Sequence, residues 1–157
     1  MVEAFYFGPA GAELFAVYHP ARDPGAEILT ILCPPLFAEG MRTQLAMREL
    51  GISLAEAGQH VLRFDYRGTG DSAGTLAGIR LSDWCEDIRA VMREGMEISG
   101  APRVNLVGVR AGALFLCCAL QGQPPVDKVV LWDPVLSGTA YVGQLRRIQA
   151  KMLDRNR

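Results

Sequence analysis

The chain has no excess of charge of either sign. Sixteen basic residues meet 17 acidic ones, for a net charge of -1. That balance leaves no broad field to draw in nucleic acid or an anionic membrane, so neither is expected as a partner. No stretch reaches the roughly 18 consecutive apolar residues of a membrane span. Met1-Val2-Glu3 lacks the basic start of a secretory signal. Histidine is scarce, with only His19 and His60. The four cysteines, Cys33, Cys85, Cys117 and Cys118, show no C-x-x-C spacing and lie in apolar segments. They read as reduced, buried thiols of a cytoplasmic protein, with no disulfide, no metal site and no cofactor expected. Repeats, low-complexity tracts and linkers are missing too, so residues 1–157 are read as a single domain.

What is present is an alternation. Val2–Phe7 and Glu13–His19, joined by Gly-Pro-Ala-Gly-Ala, predict an antiparallel hairpin. Glu27–Cys33 is a strand stopped by Pro34-Pro35. A helix then carries Met47, Leu50, Leu54 and Ala57 and ends at Gly58. Gln59–Phe64 is the next strand. It is followed by a turn-rich stretch, Asp65–Ser72, and a helix with Leu81, Trp84, Cys85, Ile88, Val91 and Met92 at helical spacing. Val104–Val107, a helix from Ala111 to about Leu120, and a strand at Lys128–Trp132 complete the alternation. From Tyr141 the tail places Leu145, Ile148 and Met152 on one helical face, so 139–157 is read as an amphipathic helix that packs on the domain or on a partner. The fold class is α/β: a mainly parallel sheet of about six strands, helices on both faces, and an N-terminal antiparallel hairpin.

The segment Gly108-Val109-Arg110-Ala111-Gly112 joins a strand directly to a helix. Two glycines there allow close passage of strand and helix and leave position 110 at the apex. Several segments together resemble the α/β-hydrolase superfamily. In that superfamily such a turn reads Gly-x-Ser-x-Gly and holds the nucleophilic serine over the sheet. Cys33-Pro34-Pro35-Leu36-Phe37-Ala38-Glu39 stands where those proteins place their oxyanion loop. Phe64–Ser72 resembles their Asp-x-Arg-Gly-x-Gly-x-Ser turn, and Val130–Gly138 their sixth strand and its exit. Within the superfamily the chain is similar to hydrolase-like proteins associated with bacterial exosortase systems. The likeness lies in the Pro-Pro-x-Phe-Ala-Glu loop, the Arg-x-Gly elbow and the Trp-x-Pro-Val-x-Ser-Gly segment. It implies a bacterial, cytoplasmic protein from an exopolysaccharide or protein-sorting setting.

The resemblance also marks what is replaced. A guanidinium offers only donors and stays charged, so Arg110 cannot attack a carbonyl as serine does. Both histidines precede the elbow, whereas the superfamily's chain order is serine, acid, histidine. The expected counterpart is the N-terminal two-thirds of the usual fold, without a cap. Three readings of Arg110 stand open: binding an anionic or acyl ligand, pairing with Glu39, Asp65, Asp71 or Asp133, or reaching solvent. Leu36, Phe37, Ala111 and Asp133 are the other candidate ligand-binding residues. The Ala111 amide would complete an anion-binding pair with an amide of the proline loop. Glu39 and Cys33 are the remaining catalytic candidates, a carboxylate base and a thiol that Arg110 would activate. Ser72 reads as structural, and Asp71 as a tie to Arg67 or to backbone amides.

Gly68–Ala73 loosely fits a dinucleotide fingerprint. Gly74 and Gly78 intervene before any helical period, which speaks against it. The expected function is therefore a non-catalytic hydrolase relative that binds a ligand or protein partner. The alternative is an ester or acyl hydrolase completed by a partner chain or a longer product. Val129–Trp132 would lie near an exposed sheet edge, covered by the tail or by a second copy, so self-association is expected.

Overall fold

A computed structural model describes residues 2–122 and 126–155. The hairpin forms as β1 (Glu3–Phe7) and β2 (Leu14–His19), in register from Glu3 opposite Tyr18 to Phe7 opposite Leu14. β3 (Ile28–Cys33), α1 (Phe37–Glu56), β4 (His60–Phe64) and α2 (Leu81–Ser99) follow. The chain continues through β5 (Arg103–Val109), α3 (Ala111–Ala119), β6 (Lys128–Trp132) and α4 (Gly138–Arg155). The six strands make one sheet in the order β1-β2-β4-β3-β5-β6. β2 meets β4 antiparallel, and β4, β3, β5 and β6 run parallel. The predicted α/β class, strand number and antiparallel hairpin are all present. Boundaries moved by a few residues: β5 is longer than expected at both ends, and the tail helix begins at Gly138.

Strand alternation explains the two layers. Leu29, Ile31 and Cys33 of β3, Leu62 and Phe64 of β4, and Leu106 of β5 point into the larger cluster, beneath α2 and α3. Leu32, Val61 and Val107 point the other way and pack against Met47 of α1. Gly58, at φ 87°, takes the left-handed turn that ends the α1 segment and lets β4 start.

A buried polar tie fixes the turn after β4. Asp87 of α2 lies wholly within the core. It accepts the Arg67 amide at 2.9 Å and the Arg67 side chain at 2.7 Å through both Nε and Nη2. Arg67 therefore belongs to Asp87, not to Asp71. The Asp71 amide instead donates to Asp65 Oδ2 at 3.0 Å, correcting the predicted tie. Ser72 is structural, as expected. Its hydroxyl donates to the Asp65 carbonyl at 2.6 Å and accepts the Phe15 amide at 2.8 Å, joining the turn to the hairpin.

Two further expectations are corrected. Cys33 and Cys85 are buried, but Cys117 is exposed and Cys118 half-buried. α3 packs one face on the sheet and α2, and Cys117 falls on the other; a helix apolar all round conceals that choice from the sequence. α4 does not cover the sheet edge: all five residues of β6 remain exposed.

Candidate functional site

The tight bend between β5 and α3 is built as its glycines require. A Cβ at Gly108 would lie 2.5 Å from the Ala113 Cα, and one at Gly112 would collide with the Cys33 and Pro34 carbonyls. Only glycine lets helix, strand and proline loop pass this closely. Arg110 stands at the apex with φ 54° and ψ -117°. Its amide donates to the Trp132 carbonyl at 3.1 Å, and its carbonyl accepts the Val135 and Ala113 amides at 3.2 Å each.

Three non-glycine residues among those described have positive φ: Phe37 at 55°, Arg110 at 54° and Asp133 at 45°. They follow β3, β5 and β6, at the same end of three parallel strands. Such conformations cost of order 1–3 kcal/mol each and cluster where structure serves a site. Here Arg110 and Asp133 belong to one group of side chains, which Glu39 joins from two residues beyond Phe37. Arg110 Nε donates to Glu39 Oε1 at 3.2 Å, and its Nη1 donates to the Asp133 carbonyl and Oδ2 at 3.1 and 3.0 Å. Tyr141, in the first turn of α4, donates its hydroxyl to Glu39 Oε2 at 3.1 Å.

Of the three readings of Arg110, the structure takes the internal pairing, with Glu39 and Asp133 as partners. Partial burial works against its charge, but Glu39 and then Asp133 outweigh this and hold the guanidinium above its ordinary range. Burial, reinforced by Glu39, pushes the Tyr141 phenol up to about 12. Tyr141 was read only as the start of the tail. The one signal for it was a lone phenol ahead of an apolar helical face.

The other candidates fall as follows. Leu36 is buried, and Phe37 is exposed at the start of α1. Both bound a groove of about 320 Å³ between the proline loop and the turn after β4, together with Pro34, Pro35, Tyr66 and Thr69. Arg110, Ala111 and Asp133 are not among its walls. Ala111 is buried as the first residue of α3, where the helix itself offers its amide no acceptor. Cys33 is fully buried, and desolvation raises its thiol far above the usual range. A nucleophilic role for it is therefore corrected to a core role, since only the thiolate attacks.

The histidines lie at the far end of the sheet. His19 sits opposite Val61, beside His60 at the start of β4. His60 Nδ1 accepts the Ala21 amide at 3.2 Å and lies 2.6 Å from the Tyr18 hydroxyl. His19 Nε2 accepts from Arg63 Nε at 3.0 Å. Burial lowers both imidazoles, and the Arg63 charge lowers His19 further. Neither can exchange a proton with a group at the elbow, which would require direct contact or one bridging water. Among the described residues no three His, Cys, Asp or Glu side chains gather in a metal-holding arrangement. No described helix is long and apolar enough to cross a membrane.

Comparison with known proteins agrees with this frame. The family model described as serine aminopeptidase, S33, matches residues 38–156. A curated relative, "Putative carbamate hydrolase RutD" of Variovorax paradoxus, is 31% identical over 104 residues, covering 65% of this chain and 38% of its own. An alpha-beta serine hydrolase homologue from Coxiella burnetii superposes with a TM-score of 0.68 at 23% identity, over 82% of this chain and 61% of that one. An a/b serine hydrolase without lid from Xanthomonas campestris gives 0.67 at 24% identity, over 83% and 60%. The α/β hydrolase GrgF from Penicillium gives 0.70 at 19% identity, over 99% and 54%. The chain thus spans between 38% and 61% of the length of these relatives.

Proposed function

The chain belongs to the serine aminopeptidase S33 family of α/β-hydrolases, and from that premise we propose that it is a non-catalytic member, a module that binds a ligand or a protein partner. One observation carries the reading. The elbow apex holds an arginine whose guanidinium is already engaged by Glu39 and Asp133. The elbow keeps the backbone shape of an acyl-transfer site while its apex offers donors in place of a nucleophile. A carboxylate or acyl anion would compete with Glu39 and Asp133 for those donors, near the Ala111 amide at the α3 N-terminus, which has no hydrogen-bond partner among the described residues. The finer setting belongs to the same proposal: a cytoplasmic bacterial protein of the exosortase-associated kind. Its support is the Pro34–Glu39 loop, the Arg110 elbow and the Trp132–Gly138 segment.

The proposal extends to assembly. β6 presents four consecutive apolar residues, Val129–Trp132, all exposed on a strand paired only with β5 among the described residues. Such an edge favours pairing with a second copy. A dimeric mass in light scattering at micromolar concentration is expected; a monomeric mass overturns this part.

Hydrolysis of short nitrophenyl esters tests the main reading. Turnover at background is expected, and Arg110→Ser is expected to leave it there because no imidazole reaches the elbow. Ester turnover that Glu39→Gln abolishes would overturn it. A second reading is favoured by the length comparison: the Coxiella burnetii and Variovorax paradoxus relatives are about 1.3 and 1.7 times as long as this chain, from the paired coverages of 82% against 61% and 65% against 38%. On that reading the missing catalytic parts, the nucleophile included, come from a partner chain or a longer product and complete an ester or acyl hydrolase. Activity that appears only when such a segment is added, and is lost in Glu39→Gln, would favour it.

A further inference from the structure

The face of the sheet beneath α1 carries a groove of about 450 Å³, apart from the elbow and larger than the groove beside the proline loop. Phe15, Val17, Leu32 and Met47 supply apolar walls, and Arg48 and Arg63 also line it. The volume falls within the range of small-molecule sites, about 300–1,000 Å³.

Arg63, on β4, is half-buried. Its Nε–H donates to His19 Nε2 at 3.0 Å. Arginine can only donate, so that ring nitrogen holds a lone pair and His19 is neutral with its proton on Nδ1. Among the described residues no carboxylate lies within ion-pair distance of Arg63. A half-desolvated guanidinium is therefore matched to a neutral ring, and Asp65 acts on it only from beyond ion-pair distance. Arg48 of α1, a second cation, lines the same groove. Its own carboxylate partner is the adjacent Glu49, in an open surface pair at 3.0 Å that contributes about 0–1 kcal/mol. Burial first, and Arg48 next, press the Arg63 charge downward, and Asp65 offsets only part of this.

Asp65 and Asp71 lie at the C-terminal end of β4 and also line the groove. Asp65 Oδ2 is engaged by the Asp71 amide. The groove is thus graded: cationic at Arg48 and Arg63, anionic at Asp65 and Asp71, apolar along its walls. A ligand of two negative charges would meet the aspartates. One negative charge on a short hydrocarbon body satisfies both the arginines and the walls.

We propose that this groove binds small amphiphilic monocarboxylates, with the carboxylate between Arg63 and Arg48 and the hydrocarbon along Phe15, Val17 and Met47. The site uses no elbow residue, so it stands or falls independently of the reading above.

Octanoate is the probe, titrated into the 157-residue chain by calorimetry and by amide NMR, with octanol, octylamine and inorganic phosphate as comparators. Saturable octanoate binding is expected, with shifts centred on Phe15, Val17, Met47 and Arg63. Octanol and phosphate are expected to bind about tenfold or more weakly, a difference of about 1.4 kcal/mol. Arg63→Gln should weaken octanoate by a similar factor. Because Arg63 also supports His19, the exposed Arg48→Gln variant provides the test if Arg63→Gln fails to fold. Equal affinity for octanol and octanoate, an unchanged octanoate affinity in Arg48→Gln, or shifts centred on the Pro35–Leu76 groove would each overturn the proposal.

Discussion

Two arginine–carboxylate networks hold this molecule's turns, and they differ chiefly in water. Under α2, Asp87 is 1% exposed and meets Arg67 through three nitrogens. At the elbow, Arg110 is 25% exposed and meets Glu39 and the far more open Asp133. The partners are chemically alike, but their consequences are not. Burial makes Asp87 indispensable to its arginine, because an unpaired charge left in the core is costly whatever the net value of the pair. At the elbow, water stands ready to replace either partner, so breaking the pairing carries a small cost. The first network holds the fold in place, and the second stands where the proposed ligand would compete.

The largest effect should come from breaking the buried network. Asp87→Ala is expected to lower stability by about 3–5 kcal/mol in urea unfolding followed by circular dichroism. A loss below about 1 kcal/mol would place Asp87 in the same class as the elbow carboxylates and dissolve the contrast.

Next comes the backbone that shapes the elbow. Gly112→Ala drives a methyl group into the Cys33 and Pro34 carbonyls, neither of which has room to yield. An overpacking loss of about 1–3 kcal/mol is expected, with NMR shifts spreading into the proline loop. A neutral substitution would mean that α3 does not lie so close to that loop.

A smaller difference separates two substitutions at the apex. Arg110→Ala removes the ion pairs but keeps a side chain at φ 54°, whereas Arg110→Gly removes both pairs and strain. The glycine variant is expected to be more stable than the alanine variant by about 1 kcal/mol, against the usual order of the two residues. If alanine proves equal or better, the apex is not strained, and the elbow has the form of a hydrolase turn without its tension.

These contrasts also separate what the residues disclose from what they conceal. The sheet was legible because parallel strands are short apolar runs between turn residues; the buried Ile28–Cys33 and His60–Phe64 follow that pattern, and so does Lys128–Trp132 although it lies exposed at the edge. The elbow was legible because Gly108 and Gly112 flank a strand–helix junction. Partners distant in sequence were not legible. Arg67 has Asp71 four residues away and Asp87 twenty away, and the fold chose the distant one because α2 lies directly over the turn. Glu39 and Arg110, 71 residues apart, were recoverable only as one pair among several options. Tyr141 was missed because its phenol signals nothing until α4 sets it beside Glu39, 102 residues away. The outward face of α3 was hidden because every residue on it is apolar.

The smallest effect expected is also the most local. In Glu39→Gln the amide oxygen still accepts the Arg110 Nε–H, while the new NH2 donates to the Tyr141 oxygen once the phenol O–H turns away, so stability should stay within about 0.5 kcal/mol of the parent. The change should appear instead in the Tyr141 titration. Its phenol stands at about 12, raised first by burial and then by the Glu39 charge and hydrogen bond. Losing that charge leaves burial in place and returns part of the shift, so the ultraviolet ionisation step of Tyr141 should move to lower pH, as seen by difference from Tyr141→Phe. If the step does not move, Glu39 and Tyr141 do not share a field. If stability falls by more than about 2 kcal/mol, the elbow network is structural in the manner of Asp87, and Arg110 has no freedom to exchange its partners for a ligand.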